Sequence, residues 1–521
     1  MRAHSEVAEK QGVSAVVDAK HIPGLRPAGG WDLPDQLNMA HQCLNHPSDQ
    51  VALIDLAGSS ETRVTFGQLE QMTDGIARAL LTQVLPGDRV GVLLSQSPWC
   101  AAAHLAVWKI GAISVPLFKL FKHDALRSRV GDAGVKIVLT DAEGADLLGD
   151  LAEQLMASGI GEPGPRLPFA STDPEDPAVL IYTSGTTGSP KGALHGHRVL
   201  TGHLPGVSIS HNHLCDGDCL WTPADWAWIG GLFDVLMPGL ALGIPVVAAR
   251  LEKFTPEACA DVIARGGVRN VFFPPTALRM LKAADQTIPG LRSVASGGEP
   301  LGAEMLAWGE QAFGLTINEF YGQTECNMVV SSCAEEFPVQ PGCIGKPVPG
   351  HEVAVVDEDG NPTDEEGDVA IRRGSASMLL EYWNRPEATA EKFRGDWLIT
   401  GDRGVWQGDY LRFVGRDDDV ITSSGYRIGP AEIEDCLLTH PAVATVGVVG
   451  KPDKLRTEIV KAYVVLKPGA EVLGAELQDW VKDRLAQYSY PREVAFLGEL
   501  PMTVTGKVIR KELKARAAGE V

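Results

Sequence analysis

The chain has 521 residues, too many for one ordinary core, so two or more domains are expected. Apolar residues make up 44% and charged residues 22%, the balance of a soluble globular protein. Net charge is −21, from 46 Lys and Arg against 67 Asp and Glu, which counts against a nucleic-acid or anionic-membrane surface because phosphates are repelled at long range.

Nine Cys are scattered from Cys43 to Cys436 with no CxxC pair, so neither a disulfide framework nor a zinc site is expected, and a reducing cytoplasm fits best. The N-terminal stretch carries Glu6, Glu9 and Lys10 without an apolar core, unlike a secretory signal. The most apolar run, Leu232 to Ala249, is broken by Asp234, Pro238 and Pro245. It reads as buried helix and strand, not as a membrane span.

In chain order, residues 1–30 read as a loose arm. From Trp31 to Gly415 helices are expected to alternate with short apolar strands. Thr65–Val84 is an amphipathic helix. Val90–Leu94 is a strand after the turn Pro86-Gly87-Asp88, and Ile113–Leu117, Lys136–Thr140 and Val179–Tyr182 are further strands. Strands alternating with helices imply parallel sheets, so this part is read as a large α/β domain over 31–415. A charged cluster, Gly415-Arg416-Asp417-Asp418-Asp419, interrupts the pattern and reads as a hinge at 416–418. The rest, 419–521, reads as a small mobile α+β domain. It has a helix at Pro430–Leu438, strands Val443–Val449 and Ile459–Leu466, and a helix at Ala475–Ala486.

One segment carries chemistry by itself. Strand Val179–Tyr182 runs into Thr183-Ser184-Gly185-Thr186-Thr187-Gly188-Ser189-Pro190-Lys191-Gly192. Three glycines let the backbone turn tightly around a ligand, the Thr and Ser hydroxyls donate, and Lys191 adds a positive charge. A polyphosphate needs these groups, although the Walker spacing is absent.

This loop resembles the signature of the adenylate-forming superfamily of acyl-CoA synthetases, luciferases and peptide-synthetase adenylation domains. The resemblance recurs in order along the chain. Ser296-Gly297-Gly298-Glu299-Pro300 is similar to the adenine-flanking loop, and Tyr321-Gly322-Gln323-Thr324-Glu325 to the second core motif. Thr400-Gly401-Asp402 is similar to the ribose motif, Gly415-Arg416-Asp417-Asp418 to the hinge, and Pro501 to Lys507 to the catalytic-lysine loop. Within the superfamily the chain looks most like the medium-chain acyl-CoA synthetases, notably at Ser423 to Pro430 and Tyr490-Pro491-Arg492.

The resemblance implies an AMP-forming acid–CoA ligase that uses ATP, Mg²⁺ and coenzyme A. It implies a soluble monomer or homodimer whose other partner is a small carboxylic acid. Tyr321 offers an aromatic face to adenine. Glu325 holds Mg²⁺, while Thr183, Thr186 and Thr324 face the phosphates. Asp402 accepts the ribose hydroxyls and Arg416 reinforces that contact. Lys507 stabilises the transition state where two anions meet. Asp418 is the pivot that exchanges Lys507 for the Ser424-Gly425-Tyr426-Arg427 segment, which lines a coenzyme A tunnel. His195 is a further candidate for ligand contact.

Gly322 stands where acetate-specific relatives place a Trp, so the acyl pocket is expected to be deeper than acetate needs. Trp228 is expected to form a pocket wall. Ile229 falls where amino-acid-activating relatives carry an Asp, and Cys326 is expected to border the pocket. The rival reading is a stand-alone adenylation enzyme that loads a carrier protein. The 14 residues after Lys507 are expected to hold no fused carrier.

Overall fold

The computed structural model describes residues 22, 24–26, 29–58, 60–158, 164–183, 190–423, 426–453, 456–485, 489–503 and 507–520. A large N-terminal α/β domain is followed by a smaller C-terminal domain. The arm expected over 1–30 falls mostly outside the described residues, but its end is seated: Leu25 bridges to Trp31, whose ring packs against Gly350.

Two sheets form the core of the large domain. In the seven-stranded sheet, Pro177–Thr183, Ile113–Pro116, Arg89–Leu93, Ile137–Thr140 and Glu153–Met156 run parallel, with Lys191–Gly196 and Glu381–Tyr382 added antiparallel at one edge. Ile113–Pro116 and Ile137–Thr140 are buried at every position, as strands covered by helices on both faces must be. The nine-stranded sheet contains Cys326–Ser331, Asn318–Gln323, Ser293–Gly297, Asn270–Phe272, Leu220–Trp221, Val246–Ala248 and Val51–Asp55 in that spatial order. Its middle strands are parallel and its edges antiparallel.

The expected elements form with small shifts. The helix at Thr65–Val84 is Phe66–Leu80, and it starts where Thr65 and Gln68 make a reciprocal capping box. The apolar run from Leu232 folds as a π-helical turn Leu232–Leu236, a helix Met237–Ala241 and a buried strand Val246–Ala248. Among the described residues no helix is long and apolar enough to cross a membrane.

The expected alternation does not extend to Gly415. Val353–Val356, Gly367–Arg372, Phe393–Arg394, Trp397–Gln407 and Tyr410–Arg416 form a wholly antiparallel sheet. The turn Asp357 to Asn361, closed by the Asn361 N–H on the Asp357 carboxylate, carries the hairpin signal there.

In the C-terminal domain, Val443–Asp453 and Thr457–Leu466 pair over their full length, and Glu493–Phe496 adds in parallel. The helices Pro430–Leu438 and Gly474–Lys482 bury Ile433, Leu437, Leu477 and Val481 against Val446, Val448, Val460 and Val464. Helix Arg510–Gly519 covers the opposite face, with Leu513 and Ala517 packed on Val449 and Tyr463. The period-two burial of these strands therefore feeds two cores, one on each side.

Candidate active site

The Ser/Thr/Gly segment begins at the end of an inner strand. Pro177–Thr183 and Lys191–Gly196 pair antiparallel with Thr183 opposite Lys191, and the Thr183 hydroxyl donates to the Lys191 carbonyl at 3.3 Å. The intervening Ser184, Gly185, Thr186, Thr187 and Gly188 lie outside the described residues. Lys191 Nζ sits 5.2 Å above the ring of Tyr382. The Tyr382 hydroxyl donates to Glu325 Oε1 at 2.5 Å. Lys191, Tyr382 and Glu325 thus form one chain of contacts at the mouth of the strand pair. Burial, and then the Glu325 charge, hold the Tyr382 phenol well above its ordinary range, so it stays a donor. Sequence reading missed Tyr382, because an aromatic in a two-residue edge strand carries no local signature.

The second core motif lies on Asn318–Gln323 and the turn after it. The Tyr321 hydroxyl donates to Asp402 Oδ2 at 2.6 Å, and Gln323 Nε2 donates to the Thr400 carbonyl at 3.1 Å. Asp402 pairs across the ladder with Arg416. Burial raises the Asp402 carboxyl, while Tyr321 and Arg416 pull it back down. Burial disfavours the Arg416 charge, and Asp402 and Asp418 more than offset this. Tyr321, Gln323, Asp402 and Arg416, about 95 residues apart in sequence at the extremes, thus converge on one edge. Thr324 is partly exposed in the adjoining turn.

Lys507 crosses from the C-terminal domain to this edge. Its Nζ donates to the Gly298 carbonyl at 2.9 Å, and Gly298 is held at φ +96°, a conformation that favours glycine. Thr503 and Lys507 close the loop that presents it: Thr503 N–H donates to the Lys507 carbonyl at 2.7 Å and Lys507 N–H to the Thr503 hydroxyl at 3.0 Å. Glu299 is tied to Arg279 at 2.9 Å, and Pro300 is partly exposed beside it.

At the expected hinge, the Asp417 N–H donates to the Gly401 carbonyl of the large domain at 2.9 Å. Two residues on, Asp419 pairs with Lys514 of helix Arg510–Gly519 at 2.8 Å. Asp418 lies between these two attachments and accepts from Arg416 Nε at 3.1 Å. Ser424 and Gly425 lie outside the described residues. Tyr426 and Arg427 are described only as backbone of strand Tyr426–Ile428, opposite Ser423 and Thr422.

The residues expected around the acyl group divide between two surroundings. Trp228 makes edge contacts with Phe118 and Phe121 at 5.4 and 5.7 Å, and Ile229 is partly buried at the start of the next short helix. Gly322 does not face open space. A Cβ on it would lie 2.3 Å from Asn327 Oδ1 and 2.5 Å from Met328 N, so glycine is needed there for close approach of the chain. Cys326 packs with Met378 and Tyr382 in a separate apolar cluster. Asn327, its neighbour, turns instead to Asp234 and donates from Nδ2 to Oδ1 at 2.7 Å. Cys326 and Asn327 face opposite ways because successive side chains of a strand alternate, and Met328 after them adopts φ +52°. His195 is fully buried, and desolvation, with His203 and Arg198 adding to it, pushes its pKa down to about 3.

A two-domain α/β protein with a Ser/Thr/Gly loop, an aromatic–carboxylate pair and a lysine delivered from its C-terminal domain is an acyl-CoA synthetase-like adenylate-forming enzyme. Comparison with known proteins gives the same class. Residues 39–383 match the AMP-binding enzyme family and residues 432–507 its C-terminal domain. The chain is 34% identical to the acetyl-coenzyme A synthetase of Bacillus subtilis, over 92% of this chain and 90% of that one. It is 33% identical to the mitochondrial acyl-coenzyme A synthetase ACSM4 of Rattus norvegicus, over 94% and 90%. Among solved structures it superimposes on the anthranilate CoA ligase AuaEII in complex with anthranoyl-AMP with a TM-score of 0.86, at 28% identity, over 94% of this chain and 99% of that one. The chain belongs to the AMP-binding enzyme family.

Proposed function

We propose that the chain converts a carboxylic acid, ATP and coenzyme A into acyl-CoA, AMP and pyrophosphate through an acyl-adenylate. The acid is longer than acetate: short- or medium-chain, branched, thioether or aromatic. The observation that carries this reading is the reach of Lys507 Nζ to the Gly298 carbonyl, at the end of the strand that pairs with the one leading into Tyr321.

In the first step an acid oxygen attacks the α-phosphorus of ATP and the bond to the β-phosphate oxygen breaks. Tyr321 and Gln323 flank adenine, and Asp402 accepts from the ribose hydroxyls with Arg416 behind it. Lys191 and the hydroxyls of Thr183, Thr186 and Thr324 meet the polyphosphate. Lys507 bridges the carboxylate and the α-phosphate, offsetting the repulsion of two anions. Glu325 suits Mg²⁺, because among the described residues only its Oε1 accepts a side-chain hydrogen bond, from Tyr382, and a carboxylate oxygen is a hard ligand. Bound there, Mg²⁺ would neutralise charge on the phosphates.

In the second step the C-terminal domain, residues 419–521, turns about a hinge at 416–418. Lys507 withdraws, and the Ser424–Arg427 segment lines the path of the pantetheine arm. The coenzyme A thiolate attacks the acyl carbonyl and AMP leaves.

Acid-dependent pyrophosphate release tests the reading, with acids from acetate to decanoate and branched, aromatic and thioether acids. Thioester formation is then compared between coenzyme A and a phosphopantetheinyl protein. Release with one acid group and transfer to coenzyme A supports the ligase. Transfer only to the protein replaces coenzyme A by a carrier, and no release with any acid rejects the reading.

A further inference from the structure

A cluster of metal-ligating side chains lies outside the nucleotide site. His213 Nε2, Cys333 Sγ and a Glu336 carboxylate oxygen all lie within 4.8 Å of one another. His213 Nε2 is 3.1 Å from Glu336 Oε1 and 3.9 Å from Cys333 Sγ. Tetrahedral bonds of about 2.0–2.3 Å to one zinc ion set neighbouring ligand atoms roughly 3.3–3.6 Å apart, between those two distances. Cys333 is fully buried, His213 is 14% exposed and Glu336 37%, so the cluster opens to solvent at Glu336. That exposed side chain has the freedom to close the remaining edge to Cys333.

Two segments 120 residues apart supply these groups, so no CxxC spacing announces them. Cys333 and Glu336 share one tight turn, with the Glu336 N–H on the Cys333 carbonyl at 3.0 Å, and side chains three apart in such a turn leave on one side. The backbone amides of Glu335 and Glu336 face the Cys333 sulfur, a setting that favours a thiolate. His213 follows helix Arg198–Ser210, and its N–H donates to the Ser208 carbonyl at 2.7 Å. Asn318 ties the two segments together: its Nδ2 donates to Asn212 Oδ1 at 2.8 Å, and its Oδ1 accepts from the Ala334 N–H at 2.9 Å. Two cations border the cluster, Arg292 on the His213 carbonyl and Lys346 over the Phe337 ring. Each is already paired, Arg292 with Asp218 at 2.6 Å and Lys346 with Asp409 at 2.7 Å, so neither opposes a metal ion with an uncompensated charge.

We propose that His213 Nε2, Cys333 Sγ and Glu336 bind one Zn²⁺, with a water on the open side as the fourth ligand. The donor set selects the metal: thiolate and imidazole suit a borderline-soft ion, whereas Mg²⁺ and Ca²⁺ take oxygen ligands. The thiolate and the carboxylate together balance the two charges of the ion, which a largely buried site requires. On binding, the Cys333 thiol releases its proton to solvent, the neutral His213 ring carries its hydrogen on Nδ1, and Glu336 exchanges its hydrogen bond for a bond to the metal. Bound zinc fastens the end of helix Arg198–Ser210 to the turn after strand Cys326–Ser331, the partner of the strand that carries Tyr321. The site is a clamp on the fold, and it stands independently of the ligase reading.

The test uses the full chain, stripped with a chelator under reducing conditions, without ATP or acid, and Zn²⁺ and Co²⁺ salts as probes. Competition with a chromophoric chelator is expected to show one tightly held Zn²⁺ per chain, undisturbed by excess Mg²⁺. Co²⁺ in its place is expected to give a thiolate-to-metal charge-transfer band in the near ultraviolet. Cys333→Ser and Glu336→Gln should each weaken zinc by at least about 100-fold, because loss of a group that merely supports a ligand already costs about 10–100-fold. Glu336→Gln changes an exposed side chain and keeps an acceptor for His213, so its weak binding cannot be laid to misfolding. Zinc should raise the thermal unfolding midpoint of the wild type and leave that of Cys333→Ser unmoved. The site is overturned if the stripped wild type binds no zinc, if both variants bind it as tightly, or if the cobalt form lacks the thiolate band. Zinc that binds without raising the wild-type midpoint overturns the clamp.

Discussion

Lys507 of the C-terminal domain donates to the carbonyl of Gly298 in the large domain, across 209 positions of sequence. Gly298 follows the residue that pairs with Phe320, so the contact brings the lysine toward the strand that carries Tyr321, as the proposed adenylate-forming arrangement requires.

Lys507→Ala is therefore expected to slow acyl-adenylate formation by about 10²–10³-fold, the usual loss for one preorganised charge donor. Thioester formation from supplied acyl-adenylate should be nearly unchanged. Single-turnover assays of the two half-reactions check this, and equal losses in both would rule out alternation.

At the proposed hinge, the Asp417 backbone is bound to Gly401 and the Asp418 carbonyl and Asp419 side chain to Lys514, so the proposed domain rotation would turn on the Asp417–Asp418 segment. Asp418→Pro locks φ near about −65° and should trap one arrangement, with adenylate formation retained and coenzyme A transfer lost. Asp418→Ala leaves the backbone free and should be much milder. A proline variant that runs the full cycle at the normal rate moves the pivot elsewhere.

Asp402 accepts from Tyr321 and faces Arg416 in the ladder. Removing the carboxylate with Asp402→Ala should weaken ATP binding by about 10- to 100-fold, the worth of one charged hydrogen-bond acceptor. Isothermal titration with ATP measures it, and unchanged affinity would detach Asp402 from the nucleotide.

Gly322 lies so close to Asn327 and Met328 that even a methyl group must displace them. Gly322→Ala should cost about 1–3 kcal/mol in stability and disturb the Asn327–Asp234 bond. Denaturant unfolding reads the first effect, and altered acid preference reads the second. An alanine variant as stable as the parent would show that the strand can shift freely.

Asp435 packs against Gly302 across the two domains, where a Cβ would come within 3.1 Å of its Oδ1. Burial, then Glu434, Glu432 and Glu304, raise its pKa to about 7 against the pull of Arg279. A carboxyl raised on packing favours the packed arrangement fully below about pH 4, and that advantage is lost as pH rises through about 7. The separated fraction should then grow by up to about ten-fold per pH unit between those limits. Small-angle scattering at pH 6 and pH 8 should show the shift, and Asp435→Asn should flatten it.

Much of this was legible in the chain itself. Glycines, hydroxyls and a lysine after an apolar strand give the expectation of a phosphate loop, because backbone amides and short side chains are local properties of a sequence. The parallel strands and the helix Pro430–Leu438 follow from periodicity, which is also local. The antiparallel sheet from Val353 to Arg416 was missed because the turn Asp357 to Asn361 marks a single hairpin, while the pairing of Gly367–Arg372 with Trp397–Gln407 joins strands far apart in sequence. Tertiary structure alone decided that Tyr382 meets Glu325 and that the space beside Gly322 is filled by Asn327. It alone placed Asp234 beside Asn327 and His203, over 90 and 30 residues away respectively. Pairings of this kind depend on how distant segments pack, and no spacing within one segment encodes them.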